Sequence, residues 1–142
     1  MSVGADILVF DENRDLLLLA EVNAKEETDV VWAAEIRHDV AELRRGALPP
    51  YFVVVARDTT YIWSTREVDA PPEVQIPTGD LLGEYLRETK LNAREIMPSA
   101  LELLVGLWLR DLTYGDARAT RAIPSRLAEA AVNGRMEFAN AA

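Results

Sequence analysis

The chain has 142 residues and a formal net charge of −9, a size that suits one domain with a substantial core. It contains no cysteine, which excludes disulfides and thiolate metal sites, and no apolar run near the ~20 residues of a membrane span. The acidic excess opposes long-range attraction to nucleic acid or to an anionic membrane surface, while leaving room for a local basic patch or a cation-loaded acidic site. Residues 3–10 read as a first strand, apolar and partly β-branched, with Asp6 near its start. Residues 11–15 (Asp-Glu-Asn-Arg-Asp) form a polar loop of hairpin length, and residues 16–24 return as a second, antiparallel strand. That strand opens as Leu-Leu-Leu-Leu, an apolar run suited to burial on both faces, and ends in alternation. If it stays extended, Glu21, Asn23 and Lys25 share one face.

Thr28 or Asp29 can cap a helix, on which Trp32, Ile36, Val40 and Leu43 form the predicted buried stripe and Arg37, Glu42, Arg44 and Arg45 lie mostly off it. Gly46 stops this helix, and Pro49-Pro50 prevents its return. Residues 51–56 (Tyr-Phe-Val-Val-Val-Ala) are the most β-prone stretch, and residues 60–63 turn back beside them. A helix between the second and third strands implies a parallel crossover and a mixed sheet. Residues 67–79 carry three prolines and read as a surface linker. Helices follow over about 80–90, 98–113 and 125–132, the second opened by Pro98 and closed by Gly115. The tail beyond Asn133 reads as loose. The expected organisation is an α/β core over 1–66, the linker, and a helical extension over 80–142 packed on the same domain.

Many familiar sites are missing. No Gly-rich phosphate loop, dinucleotide fingerprint or nucleophile elbow occurs. His38 is the single histidine and lies off the helix stripe, so a solvent-facing role is favoured over a metal or relay role. Trp32, Trp63 and Trp108 read as core residues. What remains is a pair of acids. Asp6 at the start of one strand and Glu21 near the end of its antiparallel neighbour fall at the same end of the sheet. Two carboxylates there can share a hard divalent cation, and a nearby lysine can stabilise developing charge.

Ala5-Asp6-Ile7-Leu8-Val9-Phe10-Asp11, a polar turn, and Leu-Leu-Leu-Leu-Ala-Glu21-Val22-Asn23-Ala24-Lys25 together resemble the core of the PD-(D/E)XK nuclease superfamily. The likeness extends through Trp32-Ala33-Ala34, Ile36-Arg37, Tyr51-Phe52-Val53-Val54-Val55 and Tyr61-Ile62-Trp63, about half the chain. The resemblance implies a restriction-endonuclease-like fold: a mixed central sheet flanked by helices, with a C-terminal helical extension. It implies Asp6 and Glu21 as Mg²⁺ ligands (Mn²⁺ as substitute) and hydrolysis of nucleic acid, DNA favoured over RNA. Asn23 stands where the superfamily has lysine, and Lys25 lies one pleat further on, roughly 6–7 Å along the strand. Asp6, Glu21, Asn23 and Lys25 are therefore the candidate catalytic set.

Two readings stay open: an active nuclease, or an inactive nuclease-fold module serving as a binding or regulatory subunit. The front of the superfamily core has no counterpart ahead of Asp6, which predicts a sheet edge covered by the C-terminal helices, a second copy of the chain or a partner protein. Glu95 or Glu102 could replace an acid from that missing part. Arg37, Arg44, Arg45, Arg57 and Arg66, and the cluster Arg110, Arg118, Arg121 and Arg126, are candidate phosphate contacts that otherwise read as solvated surface. The start of the chain lacks a basic-then-apolar leader, so the expected location is cytoplasmic, with no membrane partner.

Overall fold

The hairpin and crossover predicted around Leu16 to Lys25 organise the computed structural model, which describes residues 5–139. Strands β1 (Ala5–Phe10) and β2 (Leu16–Val22) are antiparallel. The turn between them is held by Asp11, whose carboxylate accepts from the Asn13 and Asp15 amides at 2.9 and 3.0 Å. Val9 pairs with Leu18 and Phe10 with Leu16, so Leu17 is an extra residue at a bulge. Its side chain thereby joins Leu18 in the same core cluster.

Helix α1 (Val30–Leu43) carries the chain over to β3 (Tyr51–Val55), which lies parallel to β2. Asp29 is the cap, accepting from the Trp32 amide at 2.9 Å. Thr28 turns outward from the helix to bond the Asp58 carboxylate and the Tyr61 hydroxyl, each at 2.8 Å, which ties the helix start to the next turn of the sheet. Gly46 at φ 81° closes the helix, its N–H donating to Ala41 O at 2.7 Å. Strands β4 (Thr59–Trp63) and β5 (Val74–Pro77) complete one side of the sheet.

Four helices follow: α2 (Thr78–Leu81), α3 (Gly83–Thr89), α4 (Pro98–Thr113) and α5 (Ala117–Thr120), then α6 (Ser125–Ala131) and a last strand, β6 (Arg135–Ala139). The sheet has six strands in the order β5-β4-β3-β2-β1-β6. Alternation splits its side chains between two cores. Leu8, Leu19, Phe52, Val54, Tyr61 and Trp63 pack with α1. Ile7, Val9, Ala20, Val53, Val55 and Ile62 pack with Leu82, Leu101, Trp108 and Leu127 of the later helices. The protein is thus α/β, a mixed sheet with helices on both faces. No described helix is long and apolar enough to cross a membrane.

Four sequence expectations need correction. The stretch read as a linker contributes β5, an edge strand short enough, and proline-ended enough, to escape a pattern reading. The tail read as loose contributes β6 up to Ala139, antiparallel to β1. The edge beside β1 is therefore covered by the chain itself, not by its helices or a second molecule. Residues 80–90, expected as one helix, form part of two short helices broken at Leu82. Finally, α1 buries Ala33, Ile36, Arg37 and Ala41, whereas Leu43 is 85% exposed.

Candidate functional site

The backbone register puts Asp6 directly opposite Glu21. In an antiparallel pair, opposed residues project from the same face with Cβ atoms ~5 Å apart. The face is the one covered by α1, because Leu8 and Leu19, two residues along on each strand, both pack there. Glu21 is also beside Val54 of β3, near the carboxyl ends of the two parallel strands. It is buried, at 4% exposure, and Asp6 is partly buried. A buried carboxylate in a strand that is otherwise apolar is a costly choice unless something compensates its charge.

Burial holds the Asp6 carboxyl above the ordinary carboxylate range, and the positive charge of Arg44, just past α1, pulls it partly back. The sign of the consequence is fixed. A carboxyl whose folded-state pKa is raised favours the fold while protonated, and that contribution is lost as pH rises through the raised value. Asp6→Asn, which is never charged, is therefore expected to gain stability relative to wild type at pH 7.5 compared with pH 4. Urea denaturation at the two pH values measures this; a relative loss at pH 7.5 would contradict it.

Asn23 and Lys25 lie beyond the formal end of β2, yet the pairing with β3 continues. The Asn23 N–H donates to Val55 O at 2.9 Å, and Lys25 O accepts from the Arg57 N–H at 3.0 Å. Asn23 is half-buried and Lys25 exposed. The backbone thus brings Asp6, Glu21 and Asn23 to one end of the sheet and sets Lys25 in solvent at the rim. Among the described residues, no group of three or more His, Cys, Asp or Glu side chains converges on a common point. A cation here would rest on two carboxylates, with an amide oxygen and water as the remaining donors, a hard-oxygen set suited to Mg²⁺ or Mn²⁺.

The other candidates are dispersed. Glu102 sits on α4, on the opposite face of the sheet from Asp6, and Glu95 hydrogen-bonds Asn92 before α4. Neither replaces an acid of the pair. Arg37 is a core residue and cannot meet phosphate. Arg57 donates to Ile96 O at 3.0 Å. Arg110 and Arg118 both pair with buried Asp111 at 3.3 Å, and Arg121 pairs with Glu84 at 3.1 Å. Asp111 in turn accepts from the Tyr85 hydroxyl at 2.7 Å. Burial and that contact push the tyrosine well above its usual range. These arginines knit α3, α4 and α5 together. His38 is exposed on α1, 3.6 Å from Glu42.

Cavities among the described residues lie away from the acid pair, and one of about 310 Å³ is lined by His38, Glu42, Gly46 and Asp69. A second, of about 270 Å³, is lined by Arg87, Arg118, Arg121 and Glu84. Another, of about 430 Å³, is an apolar groove between the outer side of α1 and Pro71-Pro72. Arg44, read from the sequence as a candidate phosphate contact, acts instead on Asp6, a proximity that the sequence reading did not foresee. Its place just beyond a helix that crosses back over the sheet was the available signal. No protein-family model, curated protein or solved structure matches the chain.

Proposed function

We propose that the chain is a metal-dependent phosphodiesterase of the PD-(D/E)XK type that cuts nucleic acid, with DNA favoured over RNA. The observation that carries this reading is the opposed Asp6–Glu21 pair on the α1 face, at the carboxyl end of the parallel β2–β3 unit. Two carboxylates set opposite each other in this way are a donor pair that a hard divalent cation can share. Mg²⁺ bound there would supply Lewis-acid stabilisation of the phosphoryl oxygens and a more acidic water. Asp6 and Glu21 would hold the ion. Asn23 orients the attacking water by hydrogen bonding, without contributing charge. Lys25 reaches back from the strand rim to stabilise the developing negative charge.

The same residues also favour a second reading, an inactive nuclease fold acting as a binding or regulatory subunit. Asn23 replaces the expected lysine, and Lys25 stands exposed outside β2. One experiment separates the two. Single- and double-stranded DNA and RNA are incubated with Mg²⁺ or Mn²⁺ and wild type, Asp6→Ala or Lys25→Ala protein. The nuclease reading expects wild-type cleavage, a loss of at least about a hundredfold in Asp6→Ala, and a comparable loss in Lys25→Ala. Equal background for wild type and Asp6→Ala would sink it and leave the non-catalytic module.

A further inference from the structure

The strand that closes the β1 side of the sheet leaves an edge of its own. β6 pairs with β1 on one side, and no described residue pairs with the other. Natural edge strands are usually protected by charge, proline or a bulge. β6 carries charges, but of opposite sign on one face. Arg135 and Glu137 form an ion pair at 2.6 Å, with side chains 64% and 46% exposed, and the Arg135 guanidinium lies 5.6 Å from the Phe10 ring centroid. On the other face, Phe138 lies over Gly106 of α4 and is 49% exposed. Leu103, one helical turn before Gly106, is also exposed.

We propose that this edge pairs with the same edge of a second copy, antiparallel and centred on Met136, to make a homodimer with one continuous sheet. The register follows from charge. Centred on Met136, the two-fold places Arg135 of each chain opposite Glu137 of the other, giving two cross-strand opposite-charge pairs on one face. Centred one residue later, Glu137 would face itself, and like charges directly opposite are destabilising. The two-fold keeps Phe138 and Leu103 of both copies on the same side of the joined sheet, where Phe138 of each copy stands opposite Gly134 and diagonal to Met136 of the other. Such an interface is isologous and closed, so it ends at two copies. It is independent of whether the acid pair is catalytic.

Sedimentation equilibrium across a concentration series tests this directly. Wild type is expected to dimerise. Arg135→Glu and Glu137→Arg each create like-charge rows and are expected to weaken association at least tenfold, with unchanged far-UV circular dichroism. The double variant Arg135→Glu/Glu137→Arg restores complementarity and is expected to dimerise again. Mixing the two single variants is expected to give a heterodimer, because all-acidic edge then meets all-basic edge. A monomeric wild type overturns the proposal. So does a dimer indifferent to the single swaps, or single-variant mixtures that stay monomeric.

Discussion

Replacing Arg37 by alanine is expected to destabilise the protein by about 3–5 kcal/mol. Arg37 is only 1% exposed, the single buried cation among the described residues of the α1-side core, and forms none of the described ion pairs. Its charge is spread over carbonyls instead: Nη1 donates to Glu67 O and Val68 O at 2.7 and 3.1 Å, and Nη2 to Thr65 O at 2.6 Å. The guanidinium also lies 5.1 Å from the Trp63 ring centroid and 5.9 Å from that of Phe52. One side chain therefore pins residues 65–68 against the helix while filling the space between α1 and the sheet. Burial lowers its pKa, the signature of a cation kept in place at a cost.

Alanine would remove the donors and leave a cavity; each charged hydrogen bond contributes ~1.5–3 kcal/mol before the recovered desolvation is subtracted. For a domain of this size the loss corresponds to a fall in Tm of roughly 10 °C. Methionine keeps most of the volume and discards the buried charge, so Arg37→Met is expected to cost about half as much or less. Thermal denaturation of both variants, with hydrogen exchange over 64–70, provides the check. Equal losses for alanine and methionine would mean that the three carbonyl contacts carry the stability and the packing does not.

Arg37 also shows where pattern reading stops. The spacing of Trp32, Ile36, Val40 and Leu43 identified α1 correctly, and the Gly46 stop was legible because a helix end needs a left-handed residue. The buried face is nevertheless rotated. The helix lies close to the sheet on Ala33 and Ala41, small residues that admit close approach, and the rotation swings Arg37 in and Leu43 out. Hydrophobicity alone could not reveal this, because both Nη atoms of the polar head donate to backbone carbonyls far along the chain. The β1–β2 hairpin was legible, and with it that Asp6 and Glu21 fall at one end of the sheet; their direct opposition was not, because Phe10 opposite Leu16 alone would set Asp6 against Ala20, and the bulge at Leu17 shifts the pairing by one. The later strand β6 had a visible period-two pattern in Arg135-Met136-Glu137-Phe138. Five residues cannot outweigh a charged terminal context, and only the waiting edge of β1 makes them a strand. Lys25 remained beyond reach for another reason: the sequence gives its spacing from Glu21 but not where the strand stops.

The recruitment of β6 depends on one glycine, and Gly134→Ala is expected to cost about 2–4 kcal/mol. A Cβ at Gly134 would stand 2.2 Å from Phe10 O and 2.9 Å from Ala131 O. Both are backbone atoms held by pairing: Phe10 opposes Arg135 in the β1–β6 ladder, and Ala131 O accepts from the Gly134 N–H at 2.9 Å. The turn itself is anchored, with Asn133 at φ 66° donating to Thr113 O at 2.9 Å. Neither side can yield without opening the ladder at its first pair. Gly106→Ala is the informative contrast. Its Cβ would meet the Phe138 ring at 2.5 Å, a closer approach to a side chain than Gly134 has to Ala131. That ring is half-exposed and can swing outward, and alanine recovers ~1 kcal/mol of helix propensity. Gly106→Ala should therefore change stability by no more than about 1 kcal/mol. Denaturation midpoints rank the two variants, and hydrogen exchange at residues 136–138 and in β1 locates the damage. A Gly134→Ala protein as stable as Gly106→Ala, with β6 amides still protected, would show that the close approach at Phe10 is not what sets the edge. If the contact does set it, the Gly134→Ala protein should also lose the β6-mediated dimer.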